Sequence, residues 1–243
     1  MSALTLVRHG QASFFAADYD VLSDLGKTQG RLLGEYWAGR CAQFEAVFTG
    51  PRLRQRHTAE QVRSAYRAAG LALPEPVILD ELDEYDLEGP RQGLAPALAR
   101  HDAAFAALYE RYRASQDDRE RERRFQKMFE VLVGHWQDGS ALLRELDVKL
   151  ESWELFRTRV ARGMRRMLET PGRGVQIAAF TSGGFIGTAV QTVLEAPDRA
   201  ALELSWRLRN GALCEFVFTR DRLSLESFNT LPHLEDPALR TYR

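Results

Sequence analysis

Three short apolar runs limit what this chain can fold into: Leu4-Thr5-Leu6-Val7, Ala46-Val47-Phe48-Thr49 and Pro76-Val77-Ile78-Leu79, with helical periodicity between them. Short strands alternating with helices read as β-α-β units and predict an α/β fold with a largely parallel sheet. Ser23 or Asp24 can cap a first helix to about Gly39, with Leu25, Leu32, Leu33, Tyr36 and Trp37 on one face. A second runs from about Leu53 to Ala69, behind Gly50-Pro51. Later, Ser152 can cap a helix that turns Trp153, Phe156, Val160, Met164 and Met167 inward. Val175 to Phe180 reads as a buried strand, followed by a helix to about Leu194. Leu213 to Phe218 and Leu223 to Phe228 read as a closing hairpin around Arg220-Asp221.

Between the third strand and Ser152 the pattern changes. From Leu94 to Trp136 there is no strand signal, and two apolar stripes recur at helical spacing. One carries Leu98, Phe105, Leu108, Tyr109 and Tyr112, the other Phe125, Met128, Phe129, Leu132, Val133 and Trp136. The charged run from Asp117 to Arg124 places Asp117 with Arg121, and Glu120 with Arg124, at i,i+4 spacing, which marks a solvated helix face. The expected organisation is a single domain over 1–243 with a helical insertion at about 91–150 that roofs a pocket and shapes substrate access.

The 243 residues carry a formal charge of −1, which gives no basic field for nucleic acid. Cys41 and Cys214 lie far apart and suggest a reduced, cytoplasmic protein. No stretch has the length or apolarity of a membrane span or a leader, so neither a membrane nor nucleic acid is expected as a partner.

In open α/β sheets, ligands bind beyond the carboxyl ends of the strands. The first strand ends in Arg8-His9-Gly10. Arg8 offers a planar fork that matches phosphate oxygens. His9 offers a neutral nitrogen that can attack phosphorus and carry the phosphoryl group. Thr181-Ser182-Gly183-Gly184 follows another strand and opens a helix, an anion-binding geometry. A further strand precedes Pro51-Arg52-Leu53-Arg54-Gln55-Arg56-His57-Thr58-Ala59, where one arginine is expected to face the pocket. The acidic loop Asp80 to Asp86 can supply a proton donor. Together these are parts for phosphoryl transfer through a phosphohistidine. A serine-hydrolase elbow is excluded at Ser182, because Phe180 stands where that turn needs glycine. Ser182-Gly183-Gly184-Phe185-Ile186-Gly187 lacks the first glycine of a dinucleotide fingerprint.

Over nearly its whole length the chain resembles the phosphoglycerate mutase-like branch of the histidine phosphatase superfamily. Leu6-Val7-Arg8-His9-Gly10-Gln11 is similar to the signature of that family, and Pro51 to Ala59 to its second motif. The resemblance implies a three-layer α/β/α sandwich. It makes His9 the phosphorylated nucleophile, Arg8 and Arg54 the phosphate clamps, and a Glu of the acidic loop the proton donor. Glu84 fits best, within Asp83-Glu84-Tyr85-Asp86, and Glu81 remains an alternative. Phe228-Asn229-Thr230-Leu231-Pro232-His233-Leu234 is similar to a closing structural segment. The family keeps a second catalytic histidine where this chain has Ser182, which can donate one hydrogen bond but brings no positive charge. Ser182 and Gly183 are therefore expected to bind substrate, and His57, His101, His135 and His233 to lie outside the chemistry. The implied activity is metal-independent hydrolysis of a phosphomonoester, with no cofactor and with mutase activity less favoured. The implied substrate is a small phosphorylated molecule or a phosphoprotein, and a homodimer is left open. The missing histidine also admits a weak or inactive phosphate-ligand binder on the same fold.

Overall fold

The computed structural model describes residues 1–13, 20–85, 88–139 and 150–242. Asp86 and residues 140–149 of the expected insertion lie outside the described residues. The chain forms two compact units, one of Met1–Glu84 with Thr158–Arg243 and one of Tyr85–Arg157.

The first unit holds a six-stranded sheet in the order β3-β2-β4-β1-β5-β6. Its strands are β1 (Ser2–Arg8), β2 (Ala46–Thr49), β3 (Val77–Ile78), β4 (Gln176–Thr181), β5 (Leu213–Phe218) and β6 (Leu223–Thr230). β1, β2, β3 and β4 run parallel, and β5 and β6 add antiparallel at one edge. Strand alternation sorts the core into faces. Val7, Val47, Ala178, Phe180 and Leu213 cluster with Leu33 and Trp37 of α1 (Asp24–Ala38) and with Ala59, Val62 and Tyr66 of α2 (Leu53–Ala68). The alternate residues Leu6, Ile177, Ala179 and Cys214 are buried toward the other face. There the helices Gly183–Val193 and Arg199–Arg207 pack on each other, and the first also meets β1 and β6. The sandwich is thus three-layered, as expected, and the closing hairpin forms. Helix Arg199–Arg207 was not foreseen, although Pro197-Asp198 and the buried spacing Ala201, Leu202, Ser205 carry a signal for it.

The buried face of α1 is rotated from the expected stripe. Gly26, Gly30, Leu33, Gly34 and Trp37 are buried, while Leu25, Leu32 and Tyr36 are only partly so. A Cβ at Gly34 would sit 2.6 Å from the Ala65 Cβ, so the glycines let α1 and α2 approach backbone to backbone. Small residues set the close approach of this pair. The third strand shrinks to two exposed residues, and the expected acidic loop begins with a 3-10 turn at Asp80–Leu82.

The second unit contains α3 (Glu88–His101), α4 (Ala103–Arg113), α5 (Asp118–Gln137) and the start of α6 (Trp153–Leu168). The helical stretch divides into separate helices at Asp102 and Asp117, which act as N-caps, accepting from the amides of Phe105 and Glu120. Asp117 therefore caps instead of pairing with Arg121, whereas Glu120 and Arg124 do pair, at 2.6 Å. Trp136 meets Trp153 edge-on with centroids 5.5 Å apart, and Tyr85 meets Phe156 at 5.6 Å, giving this unit its own aromatic core. Among the described residues no helix is long and apolar enough to cross a membrane.

Candidate active site

The parallel strands end on one edge. Arg8 is in register with Thr181, the His9 amide donates to the Thr181 carbonyl at 3.0 Å, and the Gly50 amide donates to Phe180 at 2.9 Å. The turns after β1, β4 and β2 therefore stand side by side, where an open α/β sheet binds its ligand.

The turn His9-Gly10-Gln11 has every backbone polar group paired. The Gly10 amide donates to Thr58 Oγ1 at 3.0 Å and the Gln11 amide to Gln29 Oε1 at 2.8 Å. The His9 carbonyl accepts from the Gly211 amide and from Asn210 Nδ2, and the Gln11 carbonyl accepts from the Ser23 amide. A Cβ on Gly10 would lie 2.4 Å from the Gly26 carbonyl oxygen, so only glycine lets α1 rest on this turn. The expected Ser23 cap forms, accepting from the Gly26 amide.

The sixth of these groups defines the imidazole. His9 Nδ1 lies 2.7 Å from the Gly10 carbonyl oxygen, which can only accept, so Nδ1 carries the hydrogen and Nε2 keeps its lone pair. Burial, then the Arg54 and Arg8 charges and more weakly Arg52, hold His9 well below its ordinary pKa of 6.5 and outweigh the Gly10 carbonyl. The ring is a buried, neutral base whose free lone pair is set on Nε2 by a backbone bond.

Arg8 donates through Nη1 to the Leu208 carbonyl and lies beside Gly183, where a Cβ would be 3.7 Å from Arg8 Nε. Of the three arginines in the second motif, Arg54 is buried, Arg56 is exposed, and Arg52 pairs with Asp83 at 2.6 Å. Arg54 Nη1 meets Asp20 Oδ1 at 3.0 Å, and Asp20 Oδ2 accepts from the Leu53 amide at 2.7 Å. Ser182 is fully buried, and its Oγ lies 2.8 Å from Gln55 Nε2, which also reaches the Leu82 carbonyl. Asp20, Gln55, Thr58 and Asn210 were missed in the sequence. Only the (i, i+4) bond from Thr58 Oγ1 to the Arg54 carbonyl has local spacing that points to a paired role.

The two candidate acids differ in surroundings. Glu81 is 8% exposed and is bound by Arg162 Nε at 3.1 Å and by Arg166 Nη1 at 2.9 Å. Burial raises its pKa, but its own amide, Arg166 and Arg162 outweigh burial and leave the carboxyl below the ordinary range. Its partners favour the ionised carboxylate, which disfavours it as a proton donor. Glu84 is half-buried, and its Oε2 accepts from the Gly184 amide at 3.0 Å, which sets it at the N-terminus of α7 (Gly183–Val193). That contact amends the expectation for the Gly-rich turn, because one of its amides is taken by the chain's own carboxylate. Arg159 Nη1 donates to the Asp83 carbonyl at 2.8 Å and holds the backbone between the two acids. Glu81→Gln should cost on the order of 1 kcal/mol at pH 7, read by denaturant unfolding, and leave turnover in place. Because its folded-state pKa is depressed, Glu81 stabilises fully above the ordinary carboxylate range, and that stabilisation is lost as pH falls through it. The variant's stability should fall less on acidification.

Of the other histidines, His57 and His101 are exposed and His135 lies 3.5 Å from Asp102. His233 is buried, and burial lowers its pKa to about 4.

The profile of the histidine phosphatase superfamily (branch 1) matches residues 4–143 and 120–231. No curated protein matches the chain in sequence. Among solved structures, the chain is similar to a phosphoglycerate mutase from Bacillus anthracis str. Sterne, with 17% identity, TM-score 0.64, and coverage of 96% of this chain and 95% of that one. It is similar to an alpha-ribazole phosphatase from Shigella flexneri, with 18% identity, TM-score 0.60, and coverage of 94% and 96%. It is also similar to a phosphoserine phosphatase from Entamoeba histolytica solved with 3-phosphoglyceric acid, with 15% identity, TM-score 0.61, and coverage of 96% and 100%. At these identities the likeness concerns the fold.

Proposed function

The chain belongs to the histidine phosphatase superfamily, and on that premise we propose that it hydrolyses phosphomonoesters through a phosphohistidine on His9, without a metal cofactor. The observation that carries the proposal is the state of His9: neutral, tied through Nδ1 to the Gly10 carbonyl, and under the charges of Arg54 and Arg8. In the first step the Nε2 lone pair attacks phosphorus, the ester P–O bond breaks, and the Glu84 carboxyl protonates the departing oxygen. In the second, Glu84 takes a proton from water, the water oxygen attacks phosphorus, the P–N bond breaks, and inorganic phosphate leaves. Arg8 and Arg54 balance the charge on the transferring oxygens in both steps. Ser182 and Gly183 complete the substrate-binding edge, the serine with one neutral hydroxyl.

The lowered His9 pKa gives a direct check. An NMR titration of its ring should show it neutral through pH 6.5, with protonation only in more acidic solution. A midpoint near 6.5 would contradict the account.

A second reading, a phosphate-ligand binder with little turnover, is favoured by Ser182, whose hydroxyl is already engaged by Gln55. A screen of phosphomonoesters in chelator, with His9→Ala as the control, separates the two. Hydrolysis that the variant loses supports the enzyme, and thermal stabilisation by esters without turnover supports the binder. The same screen, including phosphopeptides, assigns the substrate class.

A further inference from the structure

We infer that Thr241 is a positioning residue for His9, acting through the buried amides of Asn210 and Gln29. This rests on His9 being the nucleophile. Asn210 and Gln29 are both fully buried, and each touches the backbone of the His9-Gly10-Gln11 turn, on opposite sides of Gly10. Asn210 Nδ2 donates to the His9 carbonyl at 3.4 Å. Gln29 Oε1 accepts from the Gln11 amide at 2.8 Å.

One hydroxyl bridges both amides. Thr241 Oγ1 donates to Asn210 Oδ1 at 2.9 Å and accepts from Gln29 Nε2 at 3.0 Å. With its oxygen end held, Asn210 presents its nitrogen to His9. With its nitrogen end held, Gln29 presents its oxygen to Gln11. The Thr241 segment is itself anchored: the Asn210 amide donates to the Thr241 carbonyl at 2.8 Å, and Gln29 Nε2 donates to the Leu239 carbonyl at 2.7 Å.

A side-chain amide can flip end for end at little steric cost, so its sense is fixed by partners of one polarity, here the His9 and Leu239 carbonyls and the Gln11 amide, and the Thr241 hydroxyl, which donates to one and accepts from the other, ties the two oriented amides together. A buried network with every member satisfied is rigid, and one left partly satisfied is free to rearrange. The His9 ring is bonded to the Gly10 carbonyl inside this turn, so any drift of the turn carries Nε2 off the line of attack. The hydroxyl thus preorganises the nucleophile without touching substrate.

Thr241→Val keeps the side-chain shape and removes the hydroxyl, and Thr241→Ser keeps the hydroxyl. With the best ester from the screen, Thr241→Val should lower kcat about tenfold or more while KM stays within about twofold, since misplacement by a fraction of an ångström acts on the chemical step. Thr241→Ser should restore kcat to near wild type. An unchanged kcat in Thr241→Val, whatever its thermal midpoint, overturns the inference and leaves the hydrolase reading standing. A fall that Thr241→Ser does not restore also overturns it, because the hydroxyl is then not the agent. If Thr241→Val does not fold, Thr241→Ala carries the same comparison. A wild type inactive on every ester overturns both readings together.

Discussion

His9→Ala should lose turnover by at least about 10,000-fold, the scale seen when a covalent nucleophile is removed from an otherwise intact site. The loss should fall on kcat, while phosphate-ester binding persists, because the Arg8 and Arg54 guanidiniums do not depend on the imidazole. The variant should remain folded. The ring contributes one hydrogen bond, to Gly10, and the turn keeps its bonds to Thr181, Thr58, Gln29 and Ser23. A second readout carries a definite sign. The folded-state pKa of His9 lies well below 6.5, so between the two values the unfolded chain binds a proton that the folded chain does not. Wild-type stability must therefore fall as pH drops below about 6.5, the ordinary histidine value. His9→Ala removes that contribution, and its unfolding midpoint should decline less steeply toward acid. His233 supplies a contribution of the same sign in both proteins, so the difference between them isolates His9. Equal acid sensitivity would contradict a His9 ring whose burial, with the Arg54 and Arg8 charges, disfavours its protonated form.

Glu84→Gln should lower kcat about 100- to 10,000-fold on esters with alkyl leaving groups, the range expected for loss of a general acid. The effect should shrink on an aryl phosphate whose leaving oxygen needs no proton. This leaving-group dependence distinguishes a proton donor from a residue that merely holds α7 in place, which would cost both substrates alike. Glutamine still presents an oxygen to the Gly184 amide, so the local structure is expected to survive. A comparable loss in Glu81→Gln with the same leaving-group pattern would transfer the acid role to Glu81, against its engagement by Arg162 and Arg166.

Much of this was legible in the chain because it is written in short range. A run of four apolar residues ending in Arg8-His9-Gly10 announces a strand and the turn that ends it, Ser23 announces a helix, and Val175 to Gly184 announces another strand–turn–helix. What stayed hidden depends on residues distant in sequence. Nothing around Asp20 reveals that it meets Arg54, nothing around Gln55 that it engages Ser182, and nothing around Asn210 that its amide meets the His9 carbonyl. Between Glu81 and Glu84 the local pattern favours Glu84 and leaves Glu81 open, and nothing local reveals that the two differ in surroundings, Glu81 among the arginines of α6 and Glu84 at the amide of Gly184. The partly misplaced stripe on α1 has a related cause: periodicity weights Leu25, Leu32 and Tyr36, whereas close helix contact selects glycine.

The proposed transfer of the phosphoryl group to His9 Nε2 is tested most directly by trapping the adduct. Enzyme mixed with a turned-over ester and quenched in alkali should carry one phosphate per chain, stable to base, labile to acid, and located on the peptide containing His9. Turnover with no such adduct, or with the phosphate on another residue, would contradict it.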